Sequence, residues 1–424
     1  MKRIYDLLAS NSEISRFRIT KTDRESYEMF FVHKKLETVR SSETTDINVT
    51  IYVDHDGSTG DSSFGIYRSM TDDDIVSKAA DAVARAKLVS NKPYGFPNAD
   101  TLDAKLDTNL DALTYSELGA KIADAVFAAD KIDGGSINAA EIFVYRDVTR
   151  VANSEGMDKT QTKYHAMIEV IPTFTDDDES VELYFAHEFA NFDPDRITGE
   201  IAKKMEEVKN RKVAIKPEVP LCSDVLLHEN EVWELMAQFA SDLNYYNVYA
   251  RSNLHKKGDL IAENDGGDLI TIDMVGSING AVGSSFFDAE GTTLIPTRII
   301  EDGKVVGYYG SHRFAEYLGE TDTGDLGCMV LESGTLNDND LACADYIECI
   351  SLSGLQLDLY NDYIGGEIRL AYLHSGESVT PITGITMSGR LSEVLKTAKL
   401  SSKTITANRY SGPDKMLIKG MNIV

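Results

Sequence analysis

Cysteine is scarce in this chain, and its four copies follow no motif. Cys222, Cys328, Cys343 and Cys349 are spread over the second half of 424 residues, with no CxxC pair among them. Disulfide frameworks and cysteine-based metal sites need tighter and more regular spacings than these. We therefore expect four reduced thiols in the core.

Long apolar runs are also missing. Charged residues interrupt every segment before it reaches the roughly 18 residues that would span a bilayer. At the N-terminus, Lys2 and Arg3 supply the positive charge of a signal peptide, but Asp6 lies inside the segment that would have to be apolar. We expect a soluble, cytoplasmic protein with no export signal and no contact with membranes.

Positive charge is in the minority. Lys and Arg number 42 against 69 Asp and Glu, which gives a formal net charge of −27. Nucleic-acid binding draws its affinity from clustered cations, so this balance argues against direct contact with DNA or RNA. The same negative charge favours solubility and disfavours anionic membranes.

Several motifs that would assign a reaction are absent. The sequence contains no Walker A motif, no GxGxxG opening a helix and no GxSxG elbow. Asp54-x-Asp56 resembles the start of a calcium loop, but the sixth position is Thr59 rather than Gly, and Gly65 replaces the closing Glu. We interpret this segment as a hairpin turn that follows a strand at 48–53.

Periodicity predicts a mixture of helices and strands. Thr71 and Thr114 each precede an acidic residue by three positions, which predicts capped helices to about Val89 and Ala129. A third helix is predicted over 195–211 and a fourth around Val232 to Phe239. The predicted strands are 141–149, 162–174, 180–189 and 225–227, and many short ones punctuated by glycine follow residue 260.

This pattern predicts an α+β fold with two domains. The segment Lys216-Pro217-Glu218-Val219-Pro220 marks the boundary between them. Residues 1–215 would form an N-terminal mixed α/β domain. Residues 216–424 would form a β-rich domain, mostly a curled antiparallel sheet.

One His-Glu pair at a predicted helix start is half of a zinc-hydrolase motif. His228 and Glu229 would supply a ligand and a general base, and a second His should follow one turn later. Val232 and Trp233 occupy the two candidate positions, and neither can bind zinc. A site using His228 and Glu231 as ligands and Glu229 as base stays an alternative. We expect no catalytic or metal residues here, and Trp233 as a core residue.

A second pair, His187-Glu188, also lacks its partner histidine. Asn191 and Phe192 stand where that residue should be, and the alternation around His187 indicates a strand rather than a helix. The other histidines are single and widely spaced, so sequence alone does not group them.

Six segments along roughly residues 40–400 together resemble a known family. They are Val53-Asp54-His55-Asp56-Gly57-Ser58-Thr59-Gly60, Asn153-Ser154-Glu155-Gly156, Phe287-Asp288-Ala289-Glu290-Gly291-Thr292, Thr323-Gly324-Asp325-Leu326-Gly327, Gly365-Gly366-Glu367-Ile368-Arg369-Leu370-Ala371 and Pro381-Ile382-Thr383-Gly384-Ile385-Thr386-Met387-Ser388-Gly389. Their order resembles the TldD/PmbA family, also called TldD/TldE, whose members are described as modulators of DNA gyrase and as zinc-dependent peptidases.

The resemblance implies a dimer that acts on unfolded peptides, with zinc held in the TldD branch by an HExxxH helix and a cysteine near the C-terminus. Here Trp233 takes the place of the second histidine, and no cysteine follows Cys349. This favours the PmbA/TldE branch, whose members resemble the protease, lack the metal site and partner the catalytic subunit. Any effect on gyrase would be indirect, through processing of a peptide.

Three hypotheses follow. The first is a PmbA/TldE-like subunit without a cofactor of its own, paired with a zinc-containing TldD-like subunit. The second is an autonomous zinc metallopeptidase with a divergent site, and the third is a non-catalytic homodimer that binds peptides.

Overall fold

The computed structural model describes residues 1–176, 179–342 and 344–424. Its N-terminal half holds four helices and eight strands. The helices are α1 (Lys2–Ala9), α2 (Asp72–Ala86), α3 (Tyr115–Ala128) and α4 (Pro194–Val213). The strands are β1 (Arg16–Val32), β2 (Lys35–His55), β3 (Ser58–Ile66), β4 (Thr101–Lys105), β5 (Gly135–Asn153), β6 (Asp158–Asp176), β7 (Glu179–Glu182) and β8 (Phe185–Phe189), with a 3₁₀ turn at Leu110–Ala112 between β4 and α3.

These strands form one sheet in the order β3-β2-β1-β5-β6-β4, and β7 and β8 also pair with β6. Two separate apolar clusters stabilise it. Helices α1 and α2 pack on the β3 end, where Ile19, Ile51 and Val83 are buried. Helices α3 and α4 pack farther along, around Ile122, Ile168 and Ile201. Beyond β6 the sheet ends in β4, β7 and β8, and α4 packs on β6 and β7.

The C-terminal half contains many short elements. They are β9 (Leu221–His228), α5 (Glu229–Asp242), α6 (Tyr245–Ala250), β10 (Ile272–Val275), β11 (Thr297–Glu301), β12 (Lys304–Val305), α7 (His312–Leu318), β13 (Cys328–Leu331), α8 (Asp338–Leu341), β14 (Tyr346–Asp358), β15 (Tyr363–Ser375), β16 (Ser378–Ile382), β17 (Ile385–Gly389), α9 (Leu391–Lys396), β18 (Lys399–Leu400), β19 (Thr404–Ala407), β20 (Tyr410–Pro413) and β21 (Lys415–Ile423).

Two sheets share one large core in this half. The first has the order β12-β11-β10-β13-β20-β19, and the second the order β14-β9-β21-β17-β15-β16, with β18 on β21. Because β14 also pairs with β15, five strands of the second sheet close into a ring. Helix α5 packs on this ring through Val232, Leu235 and Met236, which are fully buried.

The predicted α+β class and the curled C-terminal sheet are confirmed. Each of the two C-terminal sheets contains one parallel pair, β13–β20 in the first and β9–β14 in the second. The boundary at 216–220 stays a prediction, and the segment lies between α4 and β9. Just before it, Ile215 already pairs with Ile382 of the second sheet.

The locally encoded elements agree with the sequence. Thr71 and Thr114 cap α2 and α3, each with both bonds of a capping box. Asp56 and Gly57 form the turn between β2 and β3 with positive φ angles of 48° and 75°. The strand predicted over 180–189 is wrong in one respect, because Leu183 and Tyr184 separate it into β7 and β8.

The thiols of Cys328 and Cys349 are free and buried, as expected. The expectations for the Cys222 and Cys343 side chains lie outside what the structure describes. Within the described ranges, no helix is both long enough and apolar enough to cross a bilayer.

Candidate functional site

A cleft of about 580 Å³ lies where the two halves of the chain meet. Its walls come from β8 and α4 on one side, and from the start of α5 and the β19–β20 hairpin on the other. His187 and His228 both line it, although they lie 41 positions apart in the sequence. The fold therefore brings together the two His-Glu pairs that the sequence treats separately.

His228 ends β9 and is the N-cap residue of α5. Its Nε2 lies 3.0 Å from Oε1 of Glu348, and Nε2 of His374 lies 3.1 Å from Oε2 of the same carboxylate. The Lys415 ammonium is 3.9 Å from Glu348 Oε1. One carboxylate on β14 thus joins two imidazoles and an ammonium from three other strands.

This arrangement fixes the charge of Glu348. Burial alone would raise its pKa, but the hydrogen bond with His228, the nearby charges of His228 and Lys415, and the hydrogen bond with His374 lower the pKa to about 2. The carboxylate is ionised at neutral pH and accepts a hydrogen bond from each ring. Since Nε2 of His228 donates to Glu348, only Nδ1 of this ring keeps a lone pair. A carboxylate in this position is also the common partner of a metal-bound histidine, so the number of converging ligands is the stricter test for a metal site.

Glu229 and Glu231 lie in the first turn of α5 and line the same cleft. Burial raises the pKa of Glu231, and the nearby His228 opposes this effect. Acidic residues at a helix start also interact favourably with the helix dipole. Their position is therefore explained without a metal ion.

The positions that would complete a zinc motif face elsewhere. Val232 is fully buried in the C-terminal core. Trp233 packs partly against that core and lines a different cavity, beside Leu355 and Tyr363. Trp233 thus does not line the cleft, and it is only partly buried, at the edge of the core in which we expected it.

The donors around His228 do not fit a zinc ion. A catalytic zinc site needs three protein ligands that converge at about 2.0 to 2.3 Å. In the part of the chain that the structure describes, no three His, Cys, Asp or Glu side chains form a group that could hold a metal. His187 is instead 3.3 Å from Glu200, which also binds Arg196, and burial lowers the pKa of His187.

Two strand edges border the cleft. Strand β8 pairs only with β6, and β19 pairs only with β20, among the described strands. The backbone carbonyl of Thr406 in β19 accepts a bond of 3.2 Å from Arg196 of α4. An adjoining cavity lined by Phe189 and Gly280 continues along both edges. The cleft is therefore part of a longer groove with backbone groups on either side.

Sequence reasoning missed Glu348, His374 and Lys415. Glu348 lies 120 positions from His228, and the three residues belong to β14, β15 and β21. Only strand pairing brings them together, through the neighbouring pairs Glu348–Leu226, Glu348–Tyr372 and Lys415–His228. No local pattern in the sequence marks them.

Comparison with known proteins finds one matching domain and several structures with the same fold. Residues 222–424 match the model of the PmbA/TldA metallopeptidase C-terminal domain. No curated protein matches the chain by sequence. Three solved structures resemble the whole chain, and all three share its fold.

The first is TldE from Thermococcus kodakarensis, with a TM-score of 0.80 at 15% identity, covering 100% of both chains. The second, a candidate modulator of a DNA gyrase from Thermotoga maritima, has a TM-score of 0.78 at 14% identity and covers 100% of this chain and 99% of its own. The third, a candidate modulator of DNA gyrase from Bacteroides thetaiotaomicron, has a TM-score of 0.79 at 14% identity and covers 100% and 97%.

Residues 222–424 thus form a domain of the PmbA/TldA metallopeptidase C-terminal type. The whole chain shares the fold of TldE and of the two candidate gyrase modulators.

Proposed function

We propose that this chain is a PmbA/TldE-like subunit that binds unfolded peptides and completes a peptide channel with a TldD-like zinc peptidase. In this proposal the chain holds no zinc of its own. The main support is the geometry at the start of α5, where Trp233 lines a separate cavity and the described residues around His228 form no group of three possible metal ligands. The fold shared with TldE agrees with this assignment.

The groove supports the peptide part of the proposal. Unpaired strand edges accept extended peptides through backbone hydrogen bonds, and this mode needs no particular side chains. Both β8 and β19 offer such an edge along one continuous groove. The rings of Phe185, His187 and Phe189 stack along β8 with centroid distances of 6.3 and 5.6 Å. They give that wall of the groove a rigid aromatic surface.

Reconstitution with a TldD-like subunit from the same organism tests the proposal. The chain alone should leave a labelled, unstructured peptide intact. Together, the two chains should cleave the peptide faster than the TldD-like subunit does alone, and should elute as one complex. A chain that cleaves by itself would favour the autonomous peptidase. A chain that forms only a homodimer and leaves the partner's rate unchanged would favour the third hypothesis.

A further inference from the structure

We propose that the cleft at the start of α5 is a subsite for a cationic group of the bound peptide, either a Lys or Arg side chain or an N-terminal ammonium. The inference rests on the proposed peptide-binding function and adds a preference for substrate. It starts from an unusual carboxylate on α4.

Glu207 is buried but only half paired. Its side chain is 4% exposed, and Oε2 accepts a bond of 2.7 Å from Lys204. Oε1 is buried and has no hydrogen-bond partner among the described residues. Buried carboxylate oxygens normally have a donor. Glu207 lines the cleft, so a bound ligand with N–H groups would supply that donor once Oε1 turns towards the cleft.

Asp414 gives a second observation of the same kind from the other domain. It lies between β20 and β21, lines the same cleft, and its Oδ1 is also buried without a partner among the described residues. The two orphaned oxygens thus come from opposite walls. A donor bound in the cleft would therefore find an acceptor on either wall.

The charge balance of the lining favours a cation. Three lining carboxylates have no basic side chain within 4.0 Å among the described residues: Glu229, Glu231 and Asp414. Of the lining lysines, only Lys203 has no acidic side chain within 4.0 Å among the described residues. Burial raises the pKa of Glu231, so a bound cation would also favour the ionised form of this carboxylate. Ammonium and guanidinium groups carry donors only, and they form the strongest hydrogen bonds with carboxylates.

The place of the cleft agrees with an extended peptide. The edges of β8 and β19 run along the same groove, so a peptide paired with either edge would direct alternate side chains to one face. One of those side chains, or the terminal amine, would reach Glu207 and Asp414. An apolar or an acidic group at that point would leave the orphaned oxygens without donors.

Peptide binding measured by fluorescence anisotropy tests the subsite. Three acetylated peptides would differ at one position, with Lys, norleucine or Glu, and a fourth would combine norleucine with a free N-terminus. All measurements use the full chain in a chelator at 0.15 M salt. We expect the Lys peptide, the free-amine peptide or both to bind at least about tenfold more tightly than acetylated norleucine, as one charge-assisted hydrogen bond would produce.

Charge-matched variants separate the subsite from the overall charge of −27. Glu207→Gln and Glu231→Gln should each reduce the preference severalfold, because they remove a lining carboxylate. Glu234→Gln removes the same charge from an exposed residue that lines the other cavity, and should leave the preference intact.

The outcomes distinguish the subsite from the wider proposal. Equal binding of all four peptides would overturn the subsite and leave peptide binding standing. A preference that Glu234→Gln reduces as much as Glu207→Gln and Glu231→Gln would also overturn it. Failure of every peptide to bind would contradict both proposals. Preference for the acetylated Lys peptide would identify a side chain as the ligand, and preference for the free amine would identify the N-terminus.

Discussion

The carboxylate of Glu348 should be a large contributor to the stability of the C-terminal domain. Its pKa of about 2, against an ordinary value of 4.5, corresponds to about 3 kcal/mol of preference for the ionised carboxylate in the folded state. The side chain is 15% exposed, so solvent screening reduces this figure only modestly. Glu348→Gln keeps the shape, removes the charge and presents an amide to two ring N–H groups. We expect a loss of about 2 to 3 kcal/mol at pH 7.

The pH dependence gives the effect a signature. Because the pKa in the folded state lies below that of the unfolded chain, the stabilisation is fully present above about pH 4.5 and is lost as the pH falls towards 2. The difference between wild type and Glu348→Gln should therefore be largest at neutral pH and should shrink below pH 4.5. A substitution that removed only an uncharged contact would lower the free energy of unfolding by the same amount at every pH.

The sequence provides a natural probe for this measurement. Trp233 is the single tryptophan and lies on α5, so its fluorescence reports on unfolding of the C-terminal domain. Urea titrations at several pH values would compare wild type, Glu348→Gln and the control Glu367→Gln, which changes an exposed carboxylate on the adjacent strand β15. If Glu348→Gln unfolds at the same urea concentration as Glu367→Gln at pH 7, the account of this network is wrong.

Three further predictions concern single positions. A Cβ on Gly60 would lie 1.8 Å from the Ala86 carbonyl oxygen, so Gly60→Ala should lower the thermal midpoint by several degrees. As its control, a Cβ on Gly199 of α4 meets no atom within 4 Å, so Gly199→Ala should stabilise the folded protein by about 0.5 to 1 kcal/mol. Thr114→Ala removes the cap of α3 and should cost about 1 kcal/mol in chemical denaturation, with Thr114→Ser close to wild type. Arg196→Ala should speed hydrogen exchange in β19, because the carbonyl of Thr406 loses its partner across the groove, and unchanged exchange would contradict this contact.

The sequence predicts elements whose determinants are local. The caps of α2 and α3 depend on residues three positions apart, and the β2–β3 turn depends on two residues with positive φ, so all three could be predicted. The division of 180–189 into β7 and β8 could not, because Leu183 lies opposite Pro172 of β6, which accepts a bond from the Leu183 N–H but has no N–H to donate in return. That bond depends on tertiary structure rather than on local propensity.

The candidate site could be predicted only in part. His228 and Glu229 stand out because they form half of a known motif, and His187 stands out for the same reason. These residues line one cleft, and His228 donates a hydrogen bond to Glu348, only because strands far apart in the chain pair with each other. Such non-local pairing has no signature in the periodicity of a single sequence.

The most direct test of the central claim is the metal content of the purified chain, measured beside hydrolysis of an unstructured peptide with and without a chelator. The account predicts metal below about a tenth of an equivalent and no hydrolysis by the chain alone, since zinc peptidases normally retain their ion through purification. Near one equivalent of zinc with chelator-sensitive cleavage would contradict it. The ligands would then have to be sought around His187 and His228, after rearrangement of the bonds with Glu348.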